Sequence, residues 1–560
     1  MKPSFRLRSL VALSFLGLAS VSVAACGGED ADDSAESGDA LSRPLSYVGQ
    51  QVVQALTANF PLQKGKTWSV SQDAKLAGDF VVQVPPRATW GQAFLSVADR
   101  CEAGDTRCEA DFGLRICAQE SDCGGHGHCT TLQATVAHRN GAPKKVCAGH
   151  SDELLDQIWS TMTATKTVLD ITSLSPPDGR FEAAVRNALT YMSEAPNPPR
   201  VRMFFGDFPG GNIWTDKTLA SLTRDVAASS KLDVSVGTWR SGTTSWNHAK
   251  IIARDGELAL VGGTNMWDVH YLRNDPVHDL WIQVEGGPAA DAARFADELW
   301  KVVCEQRATI NSLAARPYKR CPAAFGNTRG SFLSGGTASV ISMGRLGAVG
   351  AHPSDVGLVT MIRAAKSSIH LSQQDLGPIH RAGVELGDWP DAVITALAGA
   401  MTHGVDVNLV LSNTSAVPGD VSSVEALFNT YDNGWSPQEV AAKFVDAART
   451  YLRVARSNAD PVEVVCSHLK LMRLRSSGAE AWSDGKTLAN HGKVVVVDER
   501  AFYVGSQNLY VADLGEFGYL VDDEAATKTF LASYVDNVEK HSARTAISGP
   551  NVTCRIPASE

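Results

Sequence analysis

Outside its opening residues this chain has no run of lysine and arginine, and its 51 basic side chains are outnumbered by 61 acidic ones, for a formal net charge of −10. A protein that grips a polyanion needs a basic face, so nucleic acid is not an expected partner. The N-terminus also lacks an apolar stretch of membrane-spanning length. "MKPSFRLRSLVALSFLGLASVSVAAC" begins with Lys2, Arg6 and Arg8, and its apolar run is short and broken by serine and glycine. A spanning helix needs about 20 predominantly apolar residues, whereas a basic start with a short apolar centre makes an export signal. In the following "GGEDADDSAESGDALS" it is apolar residues that are nearly missing, so this stretch cannot bury enough surface to fold. The rest is different: 44% hydrophobic and 20% charged residues in a chain of 560 suffice for two sizeable cores.

The apolar run ends in Val23-Ala24-Ala25-Cys26, which resembles a bacterial lipobox, the site where a cysteine is acylated and becomes the new N-terminus. Residues 1–25 are therefore expected to be a lipoprotein signal peptide and 26–45 an acidic disordered tether, with ordinary secretion as the alternative. Of the eleven cysteines, assigning Cys26 to lipid leaves an even number that can all pair in an oxidising compartment. The expected bridges are Cys101–Cys108, Cys304–Cys321 and Cys466–Cys554, with the pairing of Cys117, Cys123, Cys129 and Cys147 open. "CAQESDCGGHGHC" also has the ligand types for zinc, through Cys117, Cys123, Cys129 and His126 or His128. The exported setting favours disulfides and no metal.

Two halves follow this Cys-rich insert of about 101–150, and they begin alike. "ATKTVLDITSLSPP" and "AAKSSIHLSQQDLGP" are β-prone runs ending in turn signals. Each leads into an amphipathic helical stretch, "RFEAAVRNALTYM" or "WPDAVITALAGAMTHG", and then another strand, "RVRMFFG" or "VDVNLVLS". Strand, helix and strand in alternation predict parallel α/β units. The Gly- and Ser-rich "PAAFGNTRGSFLSGG" marks the boundary, giving an N-terminal half over 46–335 and a C-terminal half over 336–560.

Each half then carries one polar skeleton, "NHAKIIARDGELALVGGTN" at 247–265 and "NHGKVVVVDERAFYVGSQN" at 490–508. His248, Lys250, Asp255, Gly262 and Asn265 recur as His491, Lys493, Asp498, Gly505 and Asn508, each 243 residues on. A five-position match arises by chance on the order of once in ten thousand chains of this length, and a second copy is far rarer. Histidine and lysine two apart on a strand share a face, and the hairpin pattern after them returns the asparagine toward the histidine. Gly262-Gly263 in one copy and Gly505-Ser506 in the other allow close approach to a ligand. Asp255 and Asp498 close their strands, in a structural or a functional role.

Two imidazoles, two ammoniums and two carboxamides converging on one point suit displacement at phosphorus. Charge develops there on non-bridging oxygens, where Lys250, Lys493, Asn265 and Asn508 would stabilise it. A neutral imidazole can attack while a protonated one on the opposite side protonates the leaving oxygen. Nothing in this set requires a metal or organic cofactor.

The paired HxKx4Dx6G(G/S)xN skeleton resembles the signature of the phospholipase D superfamily. "SWNHAKIIARDG", "GGTNMWDVHYL", "GPAADAARFADELW", "LSQQDLG", "AFYVGSQNLY" and "EFGYLVDDEAA" resemble the secreted actinomycete members in particular, over roughly 45–555 apart from the Cys-rich insert. That resemblance implies an α/β phospholipase D fold: two similar α/β/α sandwich halves with mixed sheets packed around one shared active site. It implies His248 as nucleophile and His491 as general acid, then base, or the reverse. Asp279 and Glu516 fall at the positions of the family's histidine partners, the second a departure from an expected aspartate. Gly263, Ser506, Trp267 and Tyr271 become substrate-binding candidates, the aromatics suited to a quaternary ammonium, and Trp435 is a substitute for a third family aromatic. The implied activity is hydrolysis of a glycerophospholipid head-group ester to phosphatidic acid, with transphosphatidylation. A cardiolipin-synthase-like transferase is the alternative, and a nuclease is a weaker one. A monomer acting at a phospholipid surface, anchored through Cys26 on the periplasmic face of the outer membrane or at the cell surface, completes the expectation.

Overall fold

The computed structural model describes residues 44–556 apart from 77, 93–111, 125–126, 208–212, 242–244, 273–275, 306–320, 327–334, 377–378, 382–383, 387–389, 414–435, 483–484, 510–512 and 551. Cys26, Cys101, Cys108, His126 and Trp435 lie outside the described residues.

Valine-rich runs such as "KVVVV" at Lys493–Val497 are buried throughout, as strands covered on both faces must be. They assemble into two eight-stranded mixed sheets. One sheet runs, edge to edge, Val81–Val84, Asp279–Glu285, Leu258–Gly262, Ile251–Arg254, Val168–Ser173, Arg200–Gly206, Asp233–Ser241 and Ser245–Trp246. The other runs Trp68–Ala74, Ala338–Leu346, Gly515–Val521, Ala501–Gly505, Lys493–Val497, Ser368–Gln373, Asp406–Leu411 and Leu469–Arg473. Strand for strand, Val81–Val84 to Asp233–Ser241 match Ala338–Leu346 to Leu469–Arg473 in order and in direction. The repeat is thus a repeat of topology as well as of motif.

The amphipathic stretches are the crossovers that parallel neighbours require. Helix Gly179–Ser193 buries Phe181, Ala184, Val185, Ala188, Leu189 and Met192, one stripe at helical spacing, and joins the parallel strands Val168–Ser173 and Arg200–Gly206. Between the sheets lies a common core. Ile251, Val261, Leu280 and Ile282 of one sheet pack with Val494, Val496, Phe502 and Phe517 of the other, together with Phe295 and Trp300 of helix Gly287–Glu305. Each sheet has a further core on its other face.

The first elements do not follow the expected partition. Trp68–Ala74 pairs antiparallel with Ala338–Leu346, and Val48, Val52 and Leu56 of helix Tyr47–Asn59 join the core of the C-terminal sheet. So a segment placed by sequence in the 46–335 half completes the edge of the other. The four cysteines left open pair as Cys117–Cys129 and Cys123–Cys147. Their sulfurs are not thiolates, so the zinc alternative lacks its ligands, and His128 turns instead to Glu120 (2.9 Å). Cys304–Cys321 and Cys466–Cys554 are also bonded.

Candidate active site

Each histidine stands just before the strand that carries its motif. Strands Ile251–Arg254 and Lys493–Val497 each turn back through a tight hairpin, paired with Leu258–Gly262 and Ala501–Gly505. The hairpin tips need left-handed backbone: φ is +54° at Asp255, +66° at Gly256, +54° at Asp498 and +53° at Glu499. Aspartate tolerates that region when its side chain bonds locally. Here Asp255 accepts hydrogen bonds from the backbone N–H groups of Lys166, Thr167 and Val168 at 2.7–2.9 Å, and Asp498 does the same for Lys366, Ser367 and Ser368. Both aspartates therefore tie a hairpin tip to the start of a neighbouring strand, at the far end of the hairpin from the histidine. These bonds give both aspartates a structural task, one of the two roles their position allows, in place of a catalytic one.

The histidines pair across the halves. His248 Nδ1 lies 3.0 and 3.1 Å from the two carboxylate oxygens of Glu516, in the C-terminal sheet. His491 Nδ1 lies 2.6 Å from Asp279 Oδ2, in the N-terminal sheet. The backbone repeats the exchange: His248 N–H donates to Gly515 O and His491 N–H to His278 O, both at 2.7 Å. Asp279 and Glu516 occupy equivalent positions, two residues before the partners of Gly262 and Gly505 respectively. Neither half supplies the carboxylate for its own motif histidine.

Nδ1–H bound to a carboxylate leaves Nε2 of each ring for chemistry. Lys250 and Lys493 are buried and donate to the backbone oxygens of His248 (2.7 Å) and His491 (2.5 Å), so each ammonium stays beside its imidazole. Burial pushes His248 down to about 4, against the pull of Glu516, and with Lys250 and Lys493 lowering it further. Burial first and Lys493 second bring His491 to about 3. Each ring thus feels the ammonium of the opposite half, and both are neutral at pH 7 in the free enzyme. Lys493 falls to about 8 and Lys250 lies well below an ordinary lysine, both chiefly through burial. Burial opposes ionisation of Asp279 and Glu516, but the facing histidines and ammoniums outweigh it and hold both carboxyls below their usual range.

Asn265 and Asn508 are buried with this cluster at the returning ends of the hairpins. Beyond the Tyr271 hydroxyl beside it, the Asn265 carboxamide has no hydrogen-bond partner among the described residues. A buried amide group with unused donors and acceptor is suited to a polar ligand. Three substrate-binding candidates serve the carboxylates instead. A Cβ at Gly263 would sit 2.2 Å from Asp279 Oδ1, so glycine is what lets that carboxylate in. Ser506 Oγ donates to Glu516 Oε2 at 2.5 Å. Tyr271 is wholly buried, its hydroxyl 3.0 Å from Asp279 Oδ2 and 3.2 Å from His491 Nδ1, which is no place to meet a head-group cation. Trp267 remains half-buried, held by its ring nitrogen to Ser175 Oγ.

Three functional residues escaped the sequence reading. Asn247 and Asn490 precede the two histidines. Asn247 donates to Ser173 O (2.9 Å) and accepts from Ala249 N–H (3.3 Å), while Asn490 donates to Gln373 O (3.1 Å) and accepts from Gly492 N–H (3.0 Å). Both asparagines set the loop from which a histidine projects, and their recurrence in both copies was the available signal. Arg345, from a strand with no motif, brings its guanidinium to 3.7 Å from Glu516; no pattern announced it.

No family model matches this chain. Two solved structures are similar at low identity: the phosphatidylserine synthase of Haemophilus influenzae Rd KW20 (13% identity, TM-score 0.46, covering 74% of this chain and 88% of that one) and Nuc, a phospholipase D family member from Salmonella typhimurium (15%, TM-score 0.20, 33% and 86%). A phospholipase D of Streptomyces antibioticus is 31% identical over 453 residues, which span 70% of this chain and 77% of that protein. With that relative spanning most of both chains, and with two histidine–lysine motifs exchanging carboxylate partners between duplicated halves, the chain belongs to the phospholipase D family and is a phosphodiesterase.

Proposed function

We propose that the enzyme is a phospholipase D that hydrolyses the head-group ester of glycerophospholipids to phosphatidic acid through a phosphohistidine, and that it also transfers the phosphatidyl group to alcohols. The observation that carries the reading is the crossed pairing of His248 with Glu516 and His491 with Asp279. Two oriented imidazoles from opposite halves are what an in-line displacement needs on opposite sides of one phosphorus.

His248 Nε2 attacks phosphorus and the head-group oxygen departs with a proton from His491 Nε2. The P–O bond breaks as the P–N bond forms. The phosphorylated His248 ring is cationic, and Glu516 faces it. Water or an alcohol then gives its proton to His491 and attacks phosphorus, the P–N bond breaks, and His248 returns neutral. His491 must enter this cycle protonated. The anionic phosphodiester supplies the means, since it offsets Lys493, the ammonium that after burial most depresses His491. The division of roles follows the surroundings: Glu516 shares its charge with both the Arg345 guanidinium and the Lys250 ammonium, while Asp279 besides His491 faces the Lys493 ammonium and the neutral partners Tyr271 and Leu280. The more available charge of Asp279 suits the ring that carries a proton.

The substrate class is supported by the Streptomyces relative, named a phospholipase D, and by the net charge of −10, which is poorly suited to a nucleic-acid polyanion. Half-buried Trp267 is the choline candidate. We assign the enzyme to an exported lipoprotein anchored through Cys26, acting as a monomer at a phospholipid surface, since one chain carries both motifs. The test is incubation with mixed phospholipid vesicles, EDTA and ethanol, with products followed by mass spectrometry. Phosphatidic acid and phosphatidylethanol, both absent with His248→Ala, are expected. Intact lipids alongside cleavage of DNA would overturn the substrate assignment, and phosphatidyl transfer without hydrolysis would favour the transferase alternative.

A further inference from the structure

The two motifs differ in one position between histidine and lysine: Ala249 in the first, Gly492 in the second. A Cβ at Gly492 would lie 3.1 Å from Ser372 Oγ, 3.1 Å from the Tyr534 hydroxyl and 3.2 Å from Asn490 Oδ1. Those atoms form a chain that the first motif does not have. Asn490 Nδ2 donates to Ser372 Oγ (3.1 Å), Ser372 Oγ and the Tyr534 hydroxyl are 3.1 Å apart, and that hydroxyl lies 3.0 Å from His278 Nε2. The backbone of Val84 also faces the His278 ring. Two hydroxyls, each able to donate and to accept, thus link the Asn490 carboxamide to the His278 ring.

Both ends of the chain reach His491. Asn490 is its neighbour in sequence, and His278 accepts the His491 backbone N–H and adjoins Asp279. The His278 ring is stacked on Tyr534 (5.5 Å between centroids, 8° between planes), with Trp90 against its edge. Tyr534 lies in a π-helical turn, Leu531–Val535, within an otherwise α-helical segment. Such insertions are rare and occur frequently at functional sites. At the equivalent place beside His248 stands Gly515, which has only its carbonyl to offer.

We propose that Tyr534, through His278 and Ser372, is a positioning residue for His491 alone, fixing the proton donor of the reaction while the nucleophile is held by other means. This rests on the assignment of His491 as general acid. The clamp therefore affects a leaving group that needs a proton and spares one that does not. A head-group alkoxide needs it; p-nitrophenolate leaves unaided.

The experiment compares first-turnover release of choline from phosphatidylcholine and of p-nitrophenol from phosphatidyl-p-nitrophenol by the full chain. Tyr534→Phe, which keeps the ring stack and loses the hydroxyl, is expected to slow choline release about tenfold with KM unchanged within about twofold, as loss of one buried hydrogen bond implies. Release of p-nitrophenol stays within about twofold of the parent. Gly492→Ala, which crowds the hydroxyl instead of removing it, gives the same selectivity. Equal slowing of both substrates, or of neither, overturns the proposal. His491→Ala separates the premise from the clamp: a strong preference for p-nitrophenol is expected, and its absence would show that His491 is not the acid, whatever Tyr534 does.

Discussion

Replacing Glu516 by glutamine keeps shape and removes charge, and the structure sets the size of the loss. The carboxylate is fully buried and faces His248 at 3.0–3.1 Å, Ser506 at 2.5 Å and Arg345 at 3.7 Å. Once His248 is phosphorylated, its ring is a cation whose counter-charge is Glu516. A charge pair about 4 Å apart is worth about 4 kcal/mol at an effective dielectric of about 20. Sharing with Arg345 reduces this, so a loss of about 3 kcal/mol, roughly 100-fold in kcat, is expected. The assay is single-turnover formation of the phosphorylated enzyme from phosphatidyl-p-nitrophenol, with circular dichroism confirming the fold. KM should change little, because the carboxylate touches the imidazole and not the substrate. Glu516→Asp keeps the charge but lacks a methylene, so it cannot reach His248 and Ser506 together, and it should fall between the two. A folded Glu516→Gln enzyme within threefold of the parent would refute the reasoning.

Asp255→Ala should lower stability by about 2–4 kcal/mol through the backbone N–H groups its buried carboxylate orphans, and Asp498→Ala by less, about 1 kcal/mol, since water can reach the N–H groups it frees; kcat of the folded fraction stays unchanged, and denaturant titration and active-site-normalised rates check this. Since Lys493 loses its proton near pH 8 in the free enzyme, kcat/KM should fall above that pH while kcat holds further, because a bound phosphodiester anion keeps the ammonium charged. His248 and His278 at about 4 and His491 at about 3 lie below the unfolded value of 6.5, so the unfolded chain binds more protons between those limits. Stability is then full above about pH 6.5 and declines as pH falls toward 4; the depressed carboxyls of Asp279 and Glu516 add loss in the same direction below their ordinary range. A Tm that stays level from pH 7 to 4.5 would contradict this. Removing the Cys466–Cys554 bridge, which closes 88 residues, should cost about 4–5 kcal/mol, measured as a shift in denaturant midpoint.

The duplicated skeleton was legible because its spacing recurs whole in both copies, and a hairpin is local enough to bring its two ends together, although the histidines stand just before the strands and not on them. The carboxylate partners were reached only through resemblance, since Asp279 and Glu516 belong to opposite halves from the histidines they hold and no spacing encodes that exchange. The choice between a structural and a functional role for Asp255 and Asp498 was illegible for the opposite reason. Recurrence marks a position as required without saying for what, and here it is the left-handed hairpin tip. Tyr271 looked like a ligand aromatic because a sequence does not show burial, and its hydroxyl turned out to matter more than its ring. The addition of Trp68–Ala74 to the C-terminal sheet was illegible too, being a pairing with a strand more than 260 residues away made by a run that reads as any half-buried strand. Arg345 and Tyr534 gave no pattern at all, the second because a π-helical turn displaces it from any helical period.

The most direct test of the central claim is to trap the covalent intermediate. With His491→Ala, phosphatidyl-p-nitrophenol should phosphorylate the enzyme and stall it, as the base for the second step is gone. Peptide mapping by mass spectrometry under alkaline conditions is predicted to find the phosphatidyl group on His248. Label on another residue, or stoichiometric p-nitrophenol release with no labelled peptide, would contradict the account.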